Sequence, residues 1–478
     1  MQTKAESVES LRSVSPIDGR YGNQVGELSQ HFSEHALMEQ RVQVEAKWAL
    51  QLVHENCGCA AGIANDGVVS TLRELAEGVS EEQTLEIKRE ETLLNHDVKA
   101  VEYFVKRHVK AANPSVSDGA LEAIHFGCTS EDINNLAHAL AARRALDMTV
   151  LPAIDGLIES IASLSESLAS VPMLSRTHGQ AASPTTLGRE LAVFALRLKR
   201  QRESLANIHL LGKMAGAVGN YSAHRIAEPS VDWTDVAERF VNSLGLEHNP
   251  LVTQIEPHDA HAEIFDAIER FNSVLLDFAT DAWGYISLGY FRQKLSENEV
   301  GSSTMPHKVN PIDFENCEGN LGLANSLLQH LGRKLQVSRF QRDLSDSTAI
   351  RNIGVAFSHT LLAIKSAKRG VSKLEADDEA ATADLENHWE LLGEAVQTVL
   401  RHAHVSEPYE RIKQATRGNT LGKEEYMQML DELPLSEHDR ERLQVLSPRA
   451  YLGYSVQQAL DVRERMNEIE LAYSGHRR

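Results

Sequence analysis

The chain is poor in the residues that break helices and build β-rich cores. It has 13 prolines, and aromatics make up 5% of its 478 residues. Period-two alternation of apolar and polar side chains is hard to find anywhere, which argues against an all-β fold. Cysteine is scarce too. Cys57, Cys59, Cys128 and Cys317 are too few for a disulfide framework in a chain of this size, and free thiols in a reducing compartment are expected. Cys57 and Cys59 form a CxC with no second ligand pair, so no metal site is expected. Positive charge is in deficit: 48 Lys and Arg against 68 Asp and Glu leave a formal charge of -20. Such a surface repels phosphate backbones and argues against a nucleic-acid partner, although a local Arg and Lys cluster can still hold a small phosphorylated molecule. The N-terminal MQTKAESVESLRS lacks the apolar core of a signal peptide, and no apolar run reaches the length of a membrane span. A cytoplasmic protein is expected, with no membrane partner.

What is abundant is Ala, Leu, Glu and Arg at helical spacing. Ile133, Leu136, Leu140, Leu146, Val150, Ile154, Leu157, Ile161, Leu164 and Leu168 keep a three-and-four pattern over residues 131–170. Similar stretches cover 185–211, 260–294, 312–337 and 347–371. Long helices with one apolar stripe bury it against each other, so the expected fold is all-α with a central long-helix bundle. Pro114 with SVSDG (115–119), and the charged EADDEAA near 372–380, suggest three helical domains at 1–118, 119–371 and 372–478.

Four segments do not read as bundle surface: GCTSEDINN (127–135), SRTHGQAASP (175–184), GKMAGAVGNY (212–221) and GSSTMPHKVNP (301–311). Thr129 and Ser130 precede the long helix, and Thr129 with Asp132 has the spacing of a capping box. The same free N–H groups can hold an anion, and both readings stand. His178 sits beside Arg176, Thr177 and Gln180; it is a structural loop histidine or, in that cluster, a proton donor near neutral pH. Gly212, Gly216 and Gly219 lack the spacing and the preceding strand of a dinucleotide loop, so close packing or a tight turn is expected. In GSSTMPHKVNP, small residues free the backbone amides to face an oxyanion, and Lys308 and Asn310 add a cation and an amide.

GSSTMPHKVNP matches the GSSxMPxKxNP pattern of the fumarase/aspartase superfamily at every fixed position. SPIDGRY (15–21), NHDVKAVEYF (95–104), TSEDINN (129–135), SRTHGQ (175–180), TQIEPHD (253–259) and RFQRDLSDSTAIRN (339–352) narrow the likeness. Together they resemble the bacterial type of the adenylosuccinate lyase family, from about residue 13 to the C-terminus. Ala181 after Gln180 and Leu93-Leu94 before Asn95 depart from its usual pattern. The resemblance implies a fumarase/aspartase-like fold and elimination of fumarate from adenylosuccinate and from its carboxamide analogue SAICAR, with no cofactor. It implies Ser302 as general base and His178 as general acid. It places Arg20, Tyr21, Asn95, His96, Asp97, Thr129, Ser130, Gln254, Lys308, Asn310, Asn316, Arg342, Ser347 and Arg351 around the substrate.

The chemistry is consistent with those groups. Removing a weakly acidic proton beside a carboxylate builds charge there, so the site needs a base, cations and amides around the carboxylate, and an acid at the leaving nitrogen. A serine hydroxyl serves as base only in a closed, donor-rich site, and 294–304 is the expected lid. A rod of roughly forty helical residues spans about 60 Å, at ~1.5 Å per residue. Within one subunit, Thr129 and Ser130 then lie at the opposite end of that rod from His178, unless Pro152 ends the helix. Antiparallel packing of neighbouring chains brings such groups together, and the resemblance implies a homotetramer with shared sites.

Overall fold

The computed structural model describes residues 11–294, 305, 308–416 and 421–475. Packing divides the chain into two compact units. The first is Met1–Ala153, Ser204–Asn272 and Asn320–Leu362, and the second Ile154–Glu203, Ser273–Gly319 and Ala363–Arg478.

In the first unit, α1 (Glu34–His54) starts where the Ser33 hydroxyl accepts from Ala36 N at 3.1 Å, and it buries Leu37, Met38, Val42, Val44, Trp48 and Leu52. The helix α2 (Glu81–Leu94) opens on a Ser80–Gln83 capping box. Asn95 ends it at φ 51°, a left-handed conformation that asparagine tolerates. One residue later His96 caps α3 (Asp97–Ala112), its Nδ1 accepting from Lys99 N at 3.1 Å. The tripeptide Asn95-His96-Asp97 is thus the corner between two helices.

The periodic stretches form the expected long helices: α4 (Ser130–Ser167), α5 (Leu187–Ala206), α6 (Asp259–Ser287) and α7 (Ile312–Leu335), then short α8 (Ser345–Ile350) and α9 (Ile353–Lys373). Pro152 does not end α4. A π turn at Leu146–Val150 lies just before it and widens the helix where the proline ring meets the preceding turn. Against the sequence expectation, α4 is long and apolar enough to cross a membrane by length and composition; half of its most apolar window is already buried within the chain. Such a helix also suits a bundle core.

Strands were not expected, but three two-stranded sheets occur among the described residues. In the second unit, β1 (Pro172–Thr177) pairs antiparallel with β2 (Gln180–Thr186). In the first, β3 (Leu211–Gly212) runs parallel to β4 (Glu247–His248). In the second again, β5 (Phe291–Gln293) pairs with β6 (Leu374–Ala376). The 260–294 pattern stops as a helix at Ser287 because Gly289 turns at φ 80° and the chain extends into β5. The second unit also holds a C-terminal helical core of Leu392, Val396, Leu400, Tyr426 and Leu430.

Candidate active site

The first unit contains a cavity of about 340 Å³. The α2–α3 corner supplies Asn95, His96 and Asp97. The start of α4 supplies Ser130, Glu131, Asn134, Asn135 and His138. The segment around α8 supplies Arg342, Leu344, Asp346, Ser347, Ile350 and Arg351, and Arg41, Glu91 and His258 complete the wall.

Two arginine clusters dominate it. In one, Asp97 Oδ2 lies 2.7 Å from Arg41 Nη2 and 3.1 Å from Arg351 Nη2, while Arg41 Nε donates to Asn134 Oδ1 at 2.9 Å. Burial alone would raise the Asp97 pKa, but Arg41 and then the helix-start amide of Val98 hold its carboxyl below the usual value. In the other, Arg342 Nη2 lies 3.0 Å from Glu131 Oε1 and donates to Ser347 Oγ at 3.1 Å. Its Nη1 reaches Gln254 Oε1 at 3.5 Å. Arg342 Nε is buried with no hydrogen-bond partner and stands 3.8 Å from Asp346. A buried guanidinium edge with an idle donor beside a serine hydroxyl suits a bidentate oxyanion. Burial raises the Glu131 pKa, with Arg342 opposing. Burial, then Arg41, pushes His138 down to about 3, so it is neutral at physiological pH.

Below Ser130, Asp132 locks the floor in place. Fully buried, its carboxylate accepts from Thr129 N (2.8 Å) and Ala215 N (2.8 Å) and pairs with the equally buried Lys213 Nζ at 2.9 Å. The helix-capping reading of Thr129 and Asp132 is therefore realised, and the capped helix start still faces the cavity through Ser130. The GKMAG segment closes on this carboxylate rather than on a phosphate. At Gly219 a Cβ would meet the Val252 carbonyl oxygen at 2.2 Å, with φ at 78°, so the glycine serves close approach.

Two family models match the chain: a lyase model over residues 19–324, and an adenylosuccinate lyase C-terminal model over 338–452. The chain is 49% identical to adenylosuccinate lyase of Escherichia coli (strain K12) over 450 residues, which cover 94% of this chain and 98% of that one. It is 47% identical to adenylosuccinate lyase of Vibrio cholerae over 456 residues, with the same coverage. The chain belongs to the adenylosuccinate lyase family. It is an enzyme, a carbon–nitrogen lyase acting on small molecules. Solved structures share the fold at low identity. The 3-carboxy-cis,cis-muconate lactonizing enzyme from Pseudomonas putida has a TM-score of 0.72 at 20% identity, covering 93% of this chain and 97% of that one. A fumarate lyase from Mesorhizobium sp. BNC1 has a TM-score of 0.73 at 19% identity, covering 91% and 97%. The all-α fumarase/aspartase fold is thereby established.

Of the residues expected from the family resemblance, Asn95, His96, Asp97, Ser130, Arg342, Ser347 and Arg351 line the cavity. Gln254 touches its wall through Arg342, and Thr129 is outside the lining, bonded to Asp132 behind Ser130. Arg20 and Tyr21 lie in the first unit outside the lining, with the Arg20 guanidinium 5.8 Å from the Tyr21 ring centre. His178, Lys308, Asn310 and Asn316 belong to the second unit. There His178 is exposed at the tip of the β1–β2 hairpin, where His178 (φ 53°) and Gly179 (φ 74°) make the two-residue turn. The sequence suggested a plain loop at this point. Below the tip, Arg176 donates to Tyr290 Oη at 2.7 Å and pairs with Asp384 at 2.6 Å. Lys308 and Asn316 are exposed and Asn310 is half-buried. Ser302 and the rest of the lid segment from 295 to 304 lie outside the described residues.

Arg41, Glu91, Glu131, Asn134, Asn135, His138, His258 and Asp346 line the cavity without having been singled out in the sequence. A signal was present. Glu131, Asn134, Asn135 and His138 stand at i, i+3, i+4 and i+7, a polar stripe on an otherwise apolar helix.

Proposed function

We propose that this lyase splits adenylosuccinate into AMP and fumarate, and SAICAR into AICAR and fumarate, as a step of purine nucleotide biosynthesis that uses no cofactor. The observation that carries this reading is the Arg342–Ser347 pair, with its idle Nε donor, set at family motif positions in a cavity of nucleotide size. Arg342, Ser347 and Arg351 hold the substrate's phosphate and other anionic groups, and Asn95, His96 and Ser130 orient it. Asp97 keeps Arg41 and Arg351 aligned until an anion arrives.

The family pattern assigns the proton steps. Ser302 removes the proton beside the carboxylate, Lys308 and Asn310 stabilise the charge that builds there, and His178 protonates the leaving nitrogen. Asn316, Arg20, Tyr21, Thr129 and Gln254 complete the pocket, and 294–304 closes over it. On this account the enzyme is a cytoplasmic homotetramer whose sites combine side chains from different subunits, built from segments 1–118, 119–371 and 372–478.

The test is fumarate release from adenylosuccinate by purified protein, with other fumarate-yielding succinyl compounds as controls. Ser302→Ala and His178→Ala are each expected to lower turnover by about 10²–10⁴. Mixing the two inactive proteins is expected to restore part of it. No fumarate from adenylosuccinate would refute the substrate assignment, and no recovery after verified subunit exchange would refute shared sites.

A further inference from the structure

We propose that Glu256, His258 and His261 form a binding site for one divalent transition-metal ion, zinc foremost, which braces the wall of the substrate cavity. Glu256 and His258 sit on the segment leading into α6, and His261 on its first turn. One ligand atom from each lies within 4.8 Å of the others. In tetrahedral zinc sites with bonds of ~2.0–2.1 Å, ligand atoms stand roughly 3.4 Å apart, so closing on an ion moves each atom by less than about 1 Å.

A second observation points to a ligand. Both histidines are 1% exposed. Neither ring nitrogen of His261 has a hydrogen-bond partner, and neither does His258 Nδ1. Three idle nitrogens in one buried place are costly without an occupant. An ion with His₂Glu ligation uses one lone pair from each ring and leaves a fourth position for water. The two rings meet edge-to-face at 5.1 Å between centres, and the Phe265 ring lies 6.4 Å from that of His261.

The carboxylate is already oriented for the task. Glu256 Oε1 accepts from Asn249 Nδ2 at 3.0 Å and Oε2 from His258 N at 2.8 Å, and Oε2 stands 3.9 Å from His258 Nδ1. Such outer hydrogen bonds aim a ligand at its metal. The neutral imidazole ring is the ligating form. A nitrogen and carboxylate set favours zinc over magnesium or calcium. Since His258 also lines the substrate cavity, the ion would fix that wall without entering the reaction.

The experiment uses full-length protein stripped with chelator and titrated with zinc against a chromophoric competitor, with cobalt(II) as a spectroscopic probe. One equivalent per chain, the intense visible bands of four-coordinate cobalt, and a raised Tm are expected. His261→Leu, which fills the site with an apolar side chain, should weaken binding more than about 100-fold. Glu256→Gln serves as the second variant, and folding of both is checked by circular dichroism. Absence of stoichiometric binding to the parent protein would overturn the site. So would affinity unchanged in His261→Leu or lost instead in Cys59→Ser, which would move the ion to the Cys57–Cys59 thiols. None of these readouts depends on the lyase reaction.

Discussion

Replacing Asp97 by Asn probes how the cavity holds its arginines. Asp97 is the only carboxylate within 4 Å of the Arg41 guanidinium among the described residues, and the Arg41 side chain is 1% exposed. The substitution keeps the shape and one acceptor but removes the buried cation's nearest counter-charge, leaving only the more distant Glu34. Breaking a fully buried pair costs about 3–5 kcal/mol; Asp97 keeps 23% side-chain exposure, so about 2–3 kcal/mol is expected here. At roughly 2–4 °C per kcal/mol, the Tm at pH 7 should fall by about 5–10 °C. The sign of the pH dependence follows from the depressed carboxyl. Its stabilisation is fully present above the unfolded pKa and is lost as pH falls through the lower folded value. The gap between parent and variant should therefore shrink below about pH 4. Asp66→Asn, an exposed acid in the first turn of another helix, isolates the helix-dipole contribution, expected at no more than ~1 kcal/mol. Equal melting of parent and Asp97→Asn at pH 7, or a gap that widens in acid, would refute the reasoning.

Lys213→Met should destabilise the chain by about 3 kcal/mol or more, because it strands the buried Asp132 carboxylate. Combined with Asp132→Asn, the loss should be smaller than the sum of the single losses, as read by thermal melting in a double-mutant cycle. Gly219→Ala should cost about 1–3 kcal/mol by pressing a Cβ on the Val252 carbonyl at positive φ, and it should raise KM through the adjoining Gln254. Normal stability and KM in that variant would show that the 252–254 segment moves aside freely.

The long helices were legible because apolar side chains at three-and-four spacing have one way to be buried. The stretch read as 131–170 is the helix Ser130–Ser167, and 312–337 is Ile312–Leu335. The hairpin carrying His178 was not legible. PMLSRT and QAASPTT lack alternation, and the turn is His178-Gly179 rather than the Asn-Gly or Asp-Gly pair that signals a two-residue hairpin. The cavity was half legible. Asn95–Asp97 and Arg342–Arg351 stand in polar segments that interrupt helices, whereas Arg41 and His138 lie inside helices, with no turn-forming residues beside them to mark them out. Glu131 lies beside the capping Asp132 in the first turn, and nothing local in the sequence marks its contact with the distant Arg342.

The central claim is that the cavity around Arg342 is where the lyase holds its substrate. Calorimetric titration of the Ser302→Ala protein with adenylosuccinate, repeated after adding Arg342→Ala, tests it most directly. Loss of a charge-assisted contact worth about 1.5–3 kcal/mol predicts affinity weakened by about 10–100-fold at unchanged stoichiometry. Equal affinity with and without Arg342 would contradict the account.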